Sequence, residues 1–182
     1  MKVGVSLFAQ NYVDWDRFEA EEAGADRKPQ LVPDAQIYRE QFHLGKLTEP
    51  LGFDSLWTVE HVVVPDSYES EYPYDPSGKM QGASSPMPDP LIWLSYVAHA
   101  TSTIKLGTGI LIVPQRNPAV LAKELATLDV LSNGRMLLGV GAGWLEEEFD
   151  ALGVPFERRG ERLDGPVGSA TASSRPRATR WS

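Results

Sequence analysis

Residues 104–144 read IKLGTGILIVPQRNPAVLAKELATLDVLSNGRMLLGVGAGW, and this stretch decides the fold. Ile104 to Val113 is a near-continuous apolar run, the pattern of a parallel strand covered on both faces. Asn117 offers a helix N-cap and Pro118 the first helical position, where a missing N–H breaks no intrahelical bond. Val120, Leu121, Leu125, Leu128 and Leu131 recur at helical spacing and predict one apolar stripe. Asn133-Gly134 supplies a left-handed stop, and Arg135 to Gly141 is a second apolar strand. Strand, helix and strand make one βαβ unit, the crossover that a parallel pair requires.

Working outward, Lys2 to Phe8 predicts a first strand, and Ala9 to Pro33 a polar loop with a short helix near Asp14 to Ala23. A helix is expected from Ala35 to about Leu51, stopped by Gly52, and a strand from Phe53 to Val59. Val62 to Met87 is a long, tyrosine- and proline-bearing loop, and loops of that length are usually functional or disordered. Pro88 to Ala100 predicts a helix capped near Pro88-Asp89. Leu145 to Leu152 predicts a short acidic helix, and Glu157 to Leu163 begins another. The alternation β, α, β, α, β, α, β, α implies an α/β fold with a parallel sheet. Four βα units are half of a (β/α)8 TIM barrel, which typically takes ~250 residues.

The chain has 182 residues, is 42% hydrophobic and 23% charged, and carries a net charge of −8. Three of its basic residues, Arg175, Arg177 and Arg180, fall in the Gly/Ser/Ala/Arg-rich stretch after Asp164. The rest therefore holds 14 basic against 25 acidic residues. That balance argues against nucleic acid or an anionic membrane as partner. No cysteine is present, which excludes thiol nucleophiles, disulfides and thiolate metal sites. No apolar run approaches the ~18 residues of a membrane helix, and MKVGVSLF reads as a strand rather than a secretory leader. The expectation is a cytoplasmic chain in two parts, an α/β domain at 1–164 and a disordered tail at 165–182.

Glu60-His61 stands at the carboxyl end of the second predicted strand, where parallel α/β sheets bind their ligands. Adjacent strand residues point to opposite faces, so at most one of the two aims into a site. A histidine there can act as acid or base near neutral pH; a structural histidine bonded to a loop carbonyl is the competing reading. His43 and His99 fall within helices and read as structural or exposed, and three scattered histidines argue against a metal site. In GVGAGW, Gly139 to Trp144, glycines after a strand let backbone approach a ligand, although the G-x-G-x-x-G pattern fails at Trp144. A tight strand-to-helix turn explains the same residues. The acidic run Glu146-Glu147-Glu148 reads as a first helical turn favourable to the helix dipole. Gly107-Thr108-Gly109-Ile110 places two glycines inside a buried strand, which suits either a flat ring lying across it or a barrel corner.

LGFDSLWTVEHVVVP, the 104–164 region through GERLD, and the opening KVGVSLF together resemble the bacterial-luciferase-like family, in particular its branch that uses the deazaflavin coenzyme F420 rather than FMN. The resemblance implies a TIM-barrel fold and a flavin- or deazaflavin-dependent oxidoreductase or monooxygenase acting on a small organic substrate. It implies a cofactor ring held against a bulge with a non-prolyl cis peptide, falling here at Gly109-Ile110 beside Thr108. It also implies an active-site histidine at His61, preceded by Glu60, and a pocket lining from Gly141, Gly143 and Trp144. The family continues with four more βα units where this sequence turns to Ser, Ala and Arg. The expectation is a truncated half barrel, whose two exposed parallel edges would favour a homodimer or other self-association. A non-catalytic α/β fragment and a flavodoxin-like open sheet are the alternatives. The latter is disfavoured because VSLFAQNYVDWD offers no phosphate-cradling loop.

Overall fold

A computed structural model describes residues 4–6, 42–43, 45–80 and 87–164. Four strands form a parallel sheet in the order β1 (Gly4–Ser6), β2 (Ser55–Thr58), β3 (Lys105–Thr108) and β5 (Met136–Leu137). A second parallel pair joins β4 (Leu111–Ile112) to β6 (Val140–Gly141). The two long strands expected at Ile104–Val113 and Arg135–Gly141 are thus each interrupted. The first breaks at Gly109-Ile110, whose peptide bond is cis, and its two pieces pair with the two pieces of the second.

The register explains which residues face which layer. Leu56, Leu106 and Met136 are aligned across β2, β3 and β5, and Trp57, Gly107 and Leu137 form the adjacent row. Successive side chains point to opposite faces, so the first row meets the helices and the second the other side of the sheet. Leu56 and Leu106 pack in one core with Leu91, Leu94 and Val97 of α1 (Pro90–Ala100) and Leu121 and Leu128 of α2 (Pro118–Leu131). A fully buried leucine stabilises the fold by roughly 1.5–3 kcal/mol. Gly45, in a helical turn at 45–48, lets that segment approach Val97 and Leu56 closely.

The caps follow the sequence. Asp89 accepts from the N–H groups of Leu91 and Ile92, each at 2.9 Å, and Pro90 opens α1. Asn117 accepts from Ala119 and Val120, and Pro118 opens α2. Asn133 (φ 58°) and Gly134 (φ 72°) end α2 in the left-handed region. The expected α2 stripe narrows to Leu121, Leu125 and Leu128, at i, i+4 and i+7. Val120 and Leu131 lie outside that arc and are exposed. A short α3 (Glu146–Ala151) and a helical segment at 159–164 follow. The loop from His61 to Met80 contains no helix or strand. No helix among the described residues is long and apolar enough to cross a membrane. The expected loop and short helix at 9–33 and the tail at 165–182 lie outside the described residues.

Candidate active site

A cleft of about 650 Å³ opens where β2, β4 and β6 end, the size of many small-molecule sites. Gly109, Ile110 and Gly141 form one wall, and His61, Tyr72 and Trp144 also line the cleft. The wall is built by close approach. A Cβ on Gly141 would collide with the Ile110 side chain, and one on Gly139 with the Thr108 carbonyl. Thr108 is fully buried and locks the two interrupted strands together. Its hydroxyl donates to the Gly139 carbonyl at 2.7 Å and accepts from the Gly139 N–H at 3.0 Å. Thr108 therefore supports the wall from behind, while Ile110 presents its side chain to the cleft. The ring lying across Gly107 is the protein's own Trp57, which packs against Gly107, Gly109 and Gly139 and leaves no room for a side chain at Gly107.

Glu60 and His61 diverge. The Glu60 carboxylate is buried and accepts from the Ile112 N–H at 2.5 Å, just past the bulge, and from the Nε of Arg116 at 3.0 Å. Arg116 also donates to Asp89 at 2.8 Å, so the wall is tied to the N-cap of α1. Burial raises the Glu60 carboxyl above its ordinary value against the opposing pull of Arg116. At Asp89 burial pushes the same way, but the Arg116 guanidinium and two backbone N–H groups outweigh it and hold the carboxyl low. Glu60 thus borders the cleft with its oxygens already engaged, and His61 is the histidine that faces it.

His61 is held from behind. Its Nδ1 lies 3.0 Å from the Oε2 of Glu148, a fully buried carboxylate whose Oε1 accepts from the N–H groups of Val62 at 2.6 Å and Val63 at 3.3 Å. Neighbouring Glu147 accepts from Glu69 at 2.6 Å and Ser70 at 3.1 Å. Desolvation works against the charge of Glu147, but hydrogen bonds from Ser70 and the loop N–H groups prevail and bring its carboxyl down to about 2. The acidic run thus does more than complement a helix dipole: two of its three carboxylates fasten the His61–Met80 loop. Sequence reading missed Glu148 and Arg116, because their partners lie 87 and 56 residues away. The triple Glu before Phe149 was the available signal.

Aromatic rings complete the far side. Trp144 meets His61 at 5.8 Å and Tyr68 at 5.7 Å edge-on and Tyr72 at 5.1 Å in a tilted contact, and Tyr74 stands 5.5 Å from Tyr72. Gly143 holds φ at 83°, with its carbonyl accepting from Arg159 at 2.9 Å, and this turn presents Trp144. His43 and His99 are exposed and distant in sequence from these residues. Among the described residues no group of three or more His, Asp or Glu side chains is arranged to hold a metal ion.

The family model for luciferase-like monooxygenases matches residues 15–165. An F420-dependent glucose-6-phosphate dehydrogenase of Kineococcus radiotolerans is 38% identical over 131 residues, covering 68% of this chain and 34% of the relative. The solved structure of a monooxygenase from Streptomyces bottropensis superposes with a TM-score of 0.65 at 30% identity, covering 93% of this chain and 41% of that one. The FMN complex of the oxygenating constituent of a Pseudomonas putida 3,6-diketocamphane monooxygenase shares the fold, with a TM-score of 0.63 at 18% identity. The chain spans 30% to 42% of the length of the curated relatives it matches. It belongs to the luciferase-like monooxygenase family.

Proposed function

We propose that residues 1–164 form the cofactor-facing half of a (β/α)8 oxidoreductase that passes hydride between coenzyme F420 and a small organic substrate. The observation that carries this reading is the convergence of Ile110, His61 and Trp144 on one cleft at the carboxyl ends of parallel strands, where barrel enzymes keep their chemistry. The cleft fits the ring of such a cofactor: aliphatic, glycine and aromatic residues share the lining of about 650 Å³. Among its described lining residues there is no Lys or Arg, so the ring rather than a phosphate tail is what they would hold. When bound, the deazaflavin supplies the hydride acceptor or donor.

In this assignment Gly109 and Ile110 back the ring, with Thr108 bracing them, and Gly141, Gly143 and Trp144 close the adjacent edge. His61 takes or returns the substrate's proton through Nε2, the ring nitrogen not engaged by Glu148. Glu60 serves the site by anchoring Ile112 and Arg116. The 38% identity to an F420-dependent dehydrogenase supports F420. The match to the S. bottropensis monooxygenase favours a second reading, monooxygenation in the same cleft, with the FMN of the P. putida enzyme as the alternative cofactor. The half-barrel reading extends to association: among the described residues β1 and β5 are the end strands of the sheet, and Leu137 in β5 and Leu138 just after it are partly exposed. Such edges invite pairing between copies, and light scattering is expected to report a dimer or larger species. A monodisperse monomer would remove that part of the proposal.

The test of function is titration with F420 and with FMN, followed by absorbance and fluorescence. The unmodified chain is expected to bind at least one saturably, and Ala142→Trp, which fills the cleft, to lose that binding while keeping its circular dichroism. Binding to neither cofactor, or equal binding by the variant, overturns the reading.

A further inference from the structure

We infer that Glu148 is a positioning residue that sets the tautomer of His61, so that Nε2 presents a lone pair to the cleft. The inference rests on the reading of the cleft as a proton-handling site, but it is argued from the carboxylate's own bonds. Glu148 is fully buried, and each of its oxygens has a different duty. Oε1 collects the backbone N–H groups of Val62 and Val63, and Oε2 lies 3.0 Å from Nδ1 of His61. Glu148 is taken as an acceptor at both oxygens, the role Oε1 already has with two backbone N–H groups, so the hydrogen between the two groups belongs to Nδ1. In neutral imidazole the other nitrogen is then an acceptor. The ring's freedom to turn is restricted as well, because Trp144 packs edge-on against it at 5.8 Å. In its neutral form His61 is thus prepared to receive a proton from a hydroxyl at Nε2, and once protonated to return it from the same atom. The same carboxylate fixes the first residues of the loop that flanks the cleft, so tautomer and loop position are set by one group.

The two oxygens give a sharp consequence for Glu148→Gln. The N–H groups of Val62 and Val63 require an oxygen, so the introduced amide must turn its NH2 toward His61. Nδ1 then has to accept, and the hydrogen moves to Nε2. The experiment is long-range ¹⁵N–¹H correlation of the imidazoles of His43, His61 and His99, at a pH where all three are neutral. The unmodified chain is expected to show His61 protonated at Nδ1 and the variant to show it protonated at Nε2. The exposed His43 and His99 serve as unshifted controls. Exchange protection of the Val62 and Val63 amides is expected to persist in Glu148→Gln and to be lost in Glu148→Leu, which has no acceptor. An Nε2–H tautomer in the unmodified chain overturns the inference even if the variant does not fold. An unchanged tautomer in a folded variant overturns it equally. Neither result depends on cofactor binding, so failure here is distinguishable from failure of the proposed function.

Discussion

The two ends of the sheet solve opposite electrostatic problems. At the end where β3 and β5 begin, the buried Arg135 donates to the carbonyls of Ala98, Thr101, Ile104 and Ser132 and to the Thr101 hydroxyl. Glu49 sits nearby, accepting from the Ser102 and Thr103 backbone. At the other end carboxylates do the collecting: Glu60 takes the Ile112 N–H, Glu148 those of Val62 and Val63, Glu147 those of Glu69 and Ser70, and Asp89 caps α1. The segregation follows from the βα alternation. Helices α1 and α2 end where the next strand begins, so their orphan carbonyls and negative dipole ends gather at the first end and call for a cation. Helix starts and loop N–H groups gather at the other and call for anions. The difference is in what remains after pairing. Arg135 is wholly consumed by the fold, whereas the carboxylate end leaves His61, aliphatic and glycine residues and three aromatic rings lining an open cleft.

Breaking the first end should cost most. Arg135→Met leaves five acceptors without their donor and is expected to destabilise the chain by about 3–5 kcal/mol, read as a lower urea midpoint. An effect equal to that of a surface substitution would show that the hub is dispensable. Gly139→Ala tests the seam between the ends, because the added methyl meets the Thr108 carbonyl. A loss of about 1–3 kcal/mol is expected, as for other overpacked sites. Glu60→Gln keeps an oxygen for Ile112 but gives up the ion pair with Arg116, and should cost about 1–2 kcal/mol. A cost matching that of Arg135→Met would contradict the ranking of the two ends.

The smallest effect is a pH dependence. Glu147 has its carboxyl lowered from 4.5 to about 2. Its contribution is complete above about 4.5 and fades as the pH falls toward 2, because the unfolded chain takes up the proton first. Glu147→Gln should therefore lose less stability than the unmodified chain over that interval, measured by urea midpoints at successive pH values. Parallel curves would remove Glu147 from the loop clamp.

How much of this was legible in the sequence depends on the range of the interaction. The caps at Asp89 and Asn117 and the stop at Asn133-Gly134 are local backbone chemistry, and each appears where its residue type predicts. The interruption of both long strands was readable only in part. Gly109 advertised a break, but the paired break at Leu138-Gly139 depends on Thr108 across the sheet. The glycines of the third strand suggested a ring across it, and periodicity could not say that the ring at Gly107 would be Trp57. Glu148 read as one more acid in a first helical turn, since nothing local links it to His61. Contacts between residues far apart in sequence, charged and neutral alike, were the missing information throughout the site.

Whether ligand chemistry belongs to the carboxylate end alone is read by an NMR titration of the chain with F420 or FMN. Shifts are expected at the Trp144 indole and the His61 imidazole, with the Trp93 indole and the Arg135 guanidinium unmoved. Shifts at Trp93 and Arg135 with Trp144 and His61 silent would contradict it.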